Sequence, residues 1–134
     1  MRASPPEPTG GFAWVQAPAG PSLVCRSLEP VAPHLFTTRP WLLGSAPADS
    51  EAAWQEVAAA VGVDNGRLAR VHQVHGSRAV AAVPGDRPDA DIIVSGDAGL
   101  AVAIQTADCV PLLIADTRTG VVAAAHAGWR GLAV

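Results

Sequence analysis

The stretch Leu100-Ala101-Val102-Ala103-Ile104-Gln105-Thr106-Ala107-Asp108-Cys109-Val110-Pro111-Leu112-Leu113-Ile114-Ala115 decides how this chain folds. Its two apolar runs, 100–104 and 112–115, have the length of buried strands and are bounded by Gly99 and by the turn Asp116-Thr117-Arg118-Thr119-Gly120. Between them lies a polar insert, Gln105 to Cys109, closed by Val110-Pro111. Polar groups set between buried strands cost stability unless they are satisfied, so such an insert usually has a local purpose. Beyond the hairpin turn, Val121 to Ala125 return as a strand towards His126-Ala127-Gly128-Trp129-Arg130-Gly131, and Trp129 to Leu132 read as the first turn of a helix.

Upstream, Asp89-Ala90-Asp91 leads into a buried strand at Ile92-Ile93-Val94, and Pro84 to Pro88 form a loop after a strand at Ala79–Val83. Leu68 to His75 is expected to be extended. Strand alternation then puts Val71, Gln73 and His75 on one face and Arg70, His72 and Val74 on the other, so His72 and His75 point apart. A helix is expected from about Ser50 to Val61, capped by Asp49 or Ser50, with Glu51 in its first turn. Trp54, Val57 and Val61 make its apolar stripe, and Gly62 is placed to end it in the left-handed conformation. Further strands are expected at Phe12–Gln16, Ser22–Leu28 and His34–Arg39, the last stopped by Pro40. Residues 1–11, rich in proline and glycine, read as a loose arm, and 12–134 as one domain.

The bulk properties narrow the function. The chain has 134 residues, 49% of them hydrophobic and 16% charged, which suits one globular domain with a modest core rich in alanine. The net charge is −3, lysine is absent and the nine arginines are scattered singly, so no nucleic-acid footprint is expected. No apolar run approaches the length of a membrane span, and the first residues lack the apolar core of a secretory signal. The cytoplasm is the default. Two cysteines do not make a disulfide scaffold. Cys25, inside an expected strand, reads as a half-buried structural thiol. In a reducing compartment Cys109 is free for metal or catalysis.

His75, Cys109 and His126 fit the ligand count of a catalytic zinc site, which holds three protein ligands and leaves the fourth position to water or substrate. Their separations are too open for a zinc finger and suit a site assembled from different strands. A nitrogen and thiolate donor set favours zinc over hard cations. The residues alone leave two alternatives open: packed or hydrogen-bonded Cys and His side chains, or Cys109 as a nucleophile with His126 as its base.

Three segments add to this reading: His72-Gln73-Val74-His75-Gly76, Thr106-Ala107-Asp108-Cys109-Val110-Pro111 and His126-Ala127-Gly128-Trp129-Arg130-Gly131. In order and at about the family's spacing, they resemble the laccase-domain family, once labelled multicopper polyphenol oxidases and now described as zinc-dependent purine nucleoside phosphorylases. The resemblance runs from about Pro33 to Val134. It implies an α+β fold of mixed sheets packed as a sandwich with flanking helices, incomplete at the C-terminus. It implies His75, Cys109 and His126 as ligands of zinc, with copper ranked below it. The implied chemistry is phosphorolysis of adenosine, inosine and methylthioadenosine, with adenosine deamination as a side activity. Purine nucleoside and inorganic phosphate are then the partners, and a homo-oligomer is allowed.

Arg130 and Arg39 are the expected phosphate-holding cations, Asp108 an acid–base or orienting group, and Gln73 a substrate contact; His72 is not expected to be a ligand. The sequence departs from the family at Pro40-Trp41-Leu42-Leu43-Gly44-Ser45, where a Gly-Gly-Val-Ser-like stretch is usual. Family members also run to about twice a small domain's length, so a fragment or truncated product is expected. The competing functions are a cysteine or metal hydrolase such as a peptidoglycan-editing factor, a copper-dependent polyphenol oxidase, and an inactive zinc-binding module.

Overall fold

Short alternating apolar segments cannot each bury a face alone, and in this chain they pair into three small sheets. The computed structural model describes residues 5–43 and 47–132, excluding the side chains of 47–50, Arg130 and Leu132. β1 (Phe12–Ala17) and β2 (Gly20–Cys25) form an antiparallel hairpin. Helix α1 (Pro47–Val61) follows. β3 (Leu68–Arg70) and β6 (Ala101–Ala103) pair in parallel. β4 (Ala79–Ala81), β5 (Ile92–Ser95), β7 (Val110–Ala115) and β8 (Val122–Ala127) make a mixed sheet of order β4-β5-β8-β7. A short helix α2 (Trp129–Leu132) leaves the end of β8. No helix among the described residues is long and apolar enough to cross a membrane.

The β3–β6 pair lies between two cores. Towards the four-stranded sheet, Ala69 and Val71 meet Ala90, Ile93, Leu100 and Ala124, with Val80, Val102 and Leu113 packed around them. Ala124 and Ala90 are fully buried, so the layers meet over methyl groups and can approach closely. Towards α1, Leu68 and Ala103 pack with Trp41, Trp54 and Val57. The Arg70 guanidinium lies 4.2 Å from the centre of the Trp54 ring, a cation–π contact. The expected α+β sandwich is what the chain forms.

Several expected boundaries move. α1 begins at Pro47 rather than Ser50, with proline in the first turn where its missing N–H costs nothing. Asp49 and Ser50 therefore lie inside the helix instead of capping it, and their side chains lie outside the described residues. Its end is as expected: Gly62 has φ 83°, and the N–H groups of Gly62 and Val63 donate to the carbonyls of Ala59 and Ala58 at 3.1 and 2.9 Å.

The strand expected over His34–Arg39 is reduced to one bridge, Leu23 to Phe36. Pro40 instead sits in a 3-10 turn, Arg39–Trp41, that drives Trp41 inward to donate from Nε1 to the Pro21 carbonyl at 2.9 Å. The extended run expected to reach His75 stops at Arg70. The β7 run expected to be buried alternates instead, with Val110, Leu112 and Ile114 exposed, because β7 is an edge strand and the core covers one of its faces. The arm is less loose than expected over its described part, since Trp14 Nε1 donates to the Pro6 carbonyl at 2.7 Å.

Trp41 is 2% exposed whereas Ile114 is 56% exposed. Trp41→Ala should cost about 3–5 kcal/mol, and Ile114→Ala no more than about 0.5 kcal/mol. Urea denaturation midpoints check both; equal losses would mean that the β7 face is covered.

Candidate metal centre

Strand pairing brings the three expected ligands together. β7 and β8 pair with Pro111 opposite His126 and Val110 opposite Ala127, so Cys109, just before β7, falls beside Gly128, just after β8. His75 arrives from the turn between β3 and β4. One ligand atom from each of His75, Cys109 and His126 lies within 4.8 Å of the others. The two imidazoles meet edge to face, with ring centres 5.0 Å apart.

Past the His72–Asp89 bridge the backbone around His75 is turned rather than extended. His75 has φ 61°, an uncommon conformation for a residue with a side chain. That turn points three successive N–H groups, of Val74, His75 and Gly76, at the Asp91 carboxylate, at 3.0, 3.0 and 2.9 Å. His126 Nδ1 donates to the same carboxylate at 2.6 Å. With Nδ1 so engaged, Nε2 is the His126 atom left to bind a metal. Burial, the largest single influence on Asp91, raises its pKa. The hydrogen bonds from His126 and the three amides together outweigh it and hold the carboxyl below its ordinary value.

A second tie holds the start of the insert that carries Cys109. Gln73 donates from Nε2 to the Gln105 carbonyl at 2.6 Å and accepts the Gln105 N–H on Oε1 at 2.7 Å. A side-chain amide thus stands in for a strand partner and fixes the start of the insert that carries Cys109. Gln73, expected to touch substrate, has both ends of its amide engaged in this way.

The donor set and the space both fit a metal ion. A thiolate and two imidazoles are zinc-type ligands. A Cβ built on Gly128 would stand 3.3 Å from Cys109 Sγ, 3.8 Å from His75 Cδ2 and 3.9 Å from His126 Cε1. The absence of a side chain there leaves the centre of the triad clear. A Cβ on Gly131 would collide with the Gly76 carbonyl, so α2 can lie against the His75 turn only as glycine. His126 is buried, Cys109 half-buried and His75 exposed, so the site opens on one side. The opening is a cavity of about 310 Å³ lined by His75, Cys109, Gly128 and Trp129.

The other expected residues fall differently. Asp108 is exposed on the bend before Cys109 and does not line the cavity. Arg39, in the 3-10 turn next to Trp41, does not line it either. Arg130 follows Trp129 in α2, and its side chain lies outside the described residues. His72, not expected to be a ligand, is exposed and pairs with Asp89 at 2.8 Å. Cys25 keeps to a structural setting, its N–H donating to His34 Nε2 at 2.8 Å and its Sγ 3.2 Å from Ser27 Oγ.

Two residues that matter here had no individual role assigned from the sequence. Asp91 carried a signal, an acid abutting the buried strand Ile92–Val94, where a charge is costly unless paired. Gly128 stood within the quoted His126–Gly131 motif, but its particular neighbours did not show there, because they come from distant parts of the chain.

Gly128 does not occupy the left-handed region, so a methyl there strains no backbone. Gly128→Ala is expected to leave the circular dichroism spectrum intact and to lower affinity for zinc or cobalt(II) by about tenfold or more. Undiminished metal binding by this variant would show that the ion does not sit where the triad converges.

Comparison with known proteins places these features in a family. Residues 42–134 match the family described as multi-copper polyphenol oxidoreductase laccase. The chain is 38% identical over 128 residues to a Deinococcus radiodurans protein named purine nucleoside phosphorylase, covering 86% of this chain and 50% of that protein. It is 35% identical over 82 residues to adenosine deaminase RL5, from an unknown prokaryotic organism, covering 53% of this chain and 31% of that one. Among solved structures it is similar to a Neisseria meningitidis protein, with 32% identity and a TM-score of 0.61, covering 92% of this chain and 52% of the other. The chain thus spans about half the length of the Deinococcus relative. On the strength of the match over 42–134, it belongs to the multi-copper polyphenol oxidoreductase laccase family.

Proposed function

We propose that His75, Cys109 and His126 hold a single zinc ion and that the protein acts on purine nucleosides, as a phosphorylase with adenosine deaminase activity. The observation that carries this reading is the convergence of one thiol and two imidazoles within 4.8 Å, two of them, His75 and Cys109, lining an open cavity. The names of the relatives supply the substrate class.

When bound, zinc would supply a Lewis acid and an acidified water at neutral pH. The chain's own residues do the rest. His126, held through Nδ1 by Asp91, offers a fixed Nε2. Trp129, 75% exposed at the cavity edge, presents an indole surface, and stacking of a base on such a surface contributes about 1–3 kcal/mol. Arg130 and Arg39 are the proposed cations for phosphate, and Asp108 a proposed proton carrier. In phosphorolysis a phosphate oxygen bonds to C1′ of the ribose while the C1′–N9 bond breaks, and the departing purine takes up a proton. Adenosine, inosine and methylthioadenosine share that bond. In deamination, water adds at C6 of adenosine and ammonia leaves.

A second reading has its own support. Asp91, His126 and Cys109 stand in the order acid, imidazole, thiol, the arrangement of a cysteine hydrolase. In that reading Cys109 would work without metal.

Incubation with adenosine separates them. The phosphorylase reading expects free base only when phosphate is present, adenine and hypoxanthine together in equal amount to ribose 1-phosphate, and abolished by a chelator. Adenine release that ignores phosphate would refute phosphorolysis, and amide or ester hydrolysis that survives chelation would favour the thiol.

A further inference from the structure

We infer that Asp91 is the positioning residue that sets two of the three metal ligands, His75 and His126, before any metal arrives. This rests on the reading of the triad as a metal site. Asp91 is fully buried and lies just ahead of β5. Its Oδ1 accepts the N–H groups of Val74 and Gly76, and its Oδ2 accepts the N–H of His75 and Nδ1 of His126. Two carboxylate oxygens thus take four donors, which uses their accepting capacity. The Asp91 main-chain carbonyl also accepts the His126 N–H at 2.8 Å, so one residue holds His126 by both backbone and ring.

The two ligands are held by different means. His126 is aimed directly, by a hydrogen bond to the ring nitrogen that does not face the metal. His75 is aimed through its backbone. Successive N–H groups in such a turn form a concave anion site, and here the anion is built into the chain. Without it, nothing else described gathers those three amides, and His75 would be free to leave the left-handed conformation. No hydrogen bond of Asp91 reaches Cys109, which lies on the insert whose first residue, Gln105, is held by Gln73. Asp91 therefore governs both nitrogen ligands and does not touch the sulfur.

Asp91→Asn tests this with little change of shape. Wherever its amide NH2 points, it faces two N–H donors in place of an acceptor. Cobalt(II) titration should show the wild-type protein binding with a thiolate charge-transfer band. In the folded Asn variant the expected affinity is about 10–100-fold weaker, with an altered ligand-field spectrum and the sulfur band retained. Val57→Ala, which weakens the core beside α1, should keep wild-type affinity. Wild-type affinity in Asp91→Asn would overturn the inference, as would an equal loss in Val57→Ala, which would assign Asp91 a merely structural role. Failure of the wild-type protein to bind cobalt(II) would instead overturn the triad reading itself.

Should Asp91→Asn not fold, hydrogen exchange on the metal-free wild-type protein decides the matter. Preorganisation expects the Val74, His75 and Gly76 amides to be protected without metal. Amides that exchange freely until metal is added would contradict it.

Discussion

A carboxylate with no exposure to water is costly, and most of the site follows from how that cost is met. Removing a charge from water carries a penalty of several kcal/mol, repaid only by close hydrogen bonds. Asp91 finds four of them, and its partners come from the 74–76 turn and from His126. The requirement ties three parts of the fold to one point: the entry to β5, the turn after β3 and the end of β8. Antiparallel pairing of β5 with β8, Ile92 opposite Ala125, carries Asp91 and His126 into adjacency. Sheet register and ligand geometry are in this sense one constraint.

Small residues supply the room that arrangement needs. Gly128 keeps the triad clear, and Gly131 lets α2 pass against the Gly76 carbonyl. Ala124, fully buried in the middle of β8, lets the β3–β6 pair lie close over the four-stranded sheet. The alanine-rich composition is thus part of the architecture.

Some of this was legible in the residues and some was not. The β7–β8 hairpin was, because its turn is marked by Asp116 and Gly120: Asp116 Oδ1 accepts the Arg118 N–H at 2.9 Å, and Gly120 has φ 76°. The end of α1 was legible for the same kind of reason, a glycine in a position that favours glycine. The His34–Arg39 segment was misread because strand-forming composition yielded to a proline turn and to burial of Trp41. The Leu68–His75 segment was misread over its last residues because the 74–76 turn is gathered by Asp91, a partner 15 residues or more away from those amides. The three ligand candidates stood out by type and motif, and the fold brings them together. The residues that organise them stood out less, since hydrogen-bond partners across strands leave little local signature.

The proposed centre has one thiolate and two imidazoles sharing a single ion. X-ray absorption at the zinc edge of the purified protein reads that donor set directly. One zinc per chain is expected, with one sulfur at about 2.3 Å and nitrogen or oxygen neighbours at about 2.0–2.1 Å. A zinc shell without sulfur, or protein that takes up no zinc when it is supplied, would contradict it.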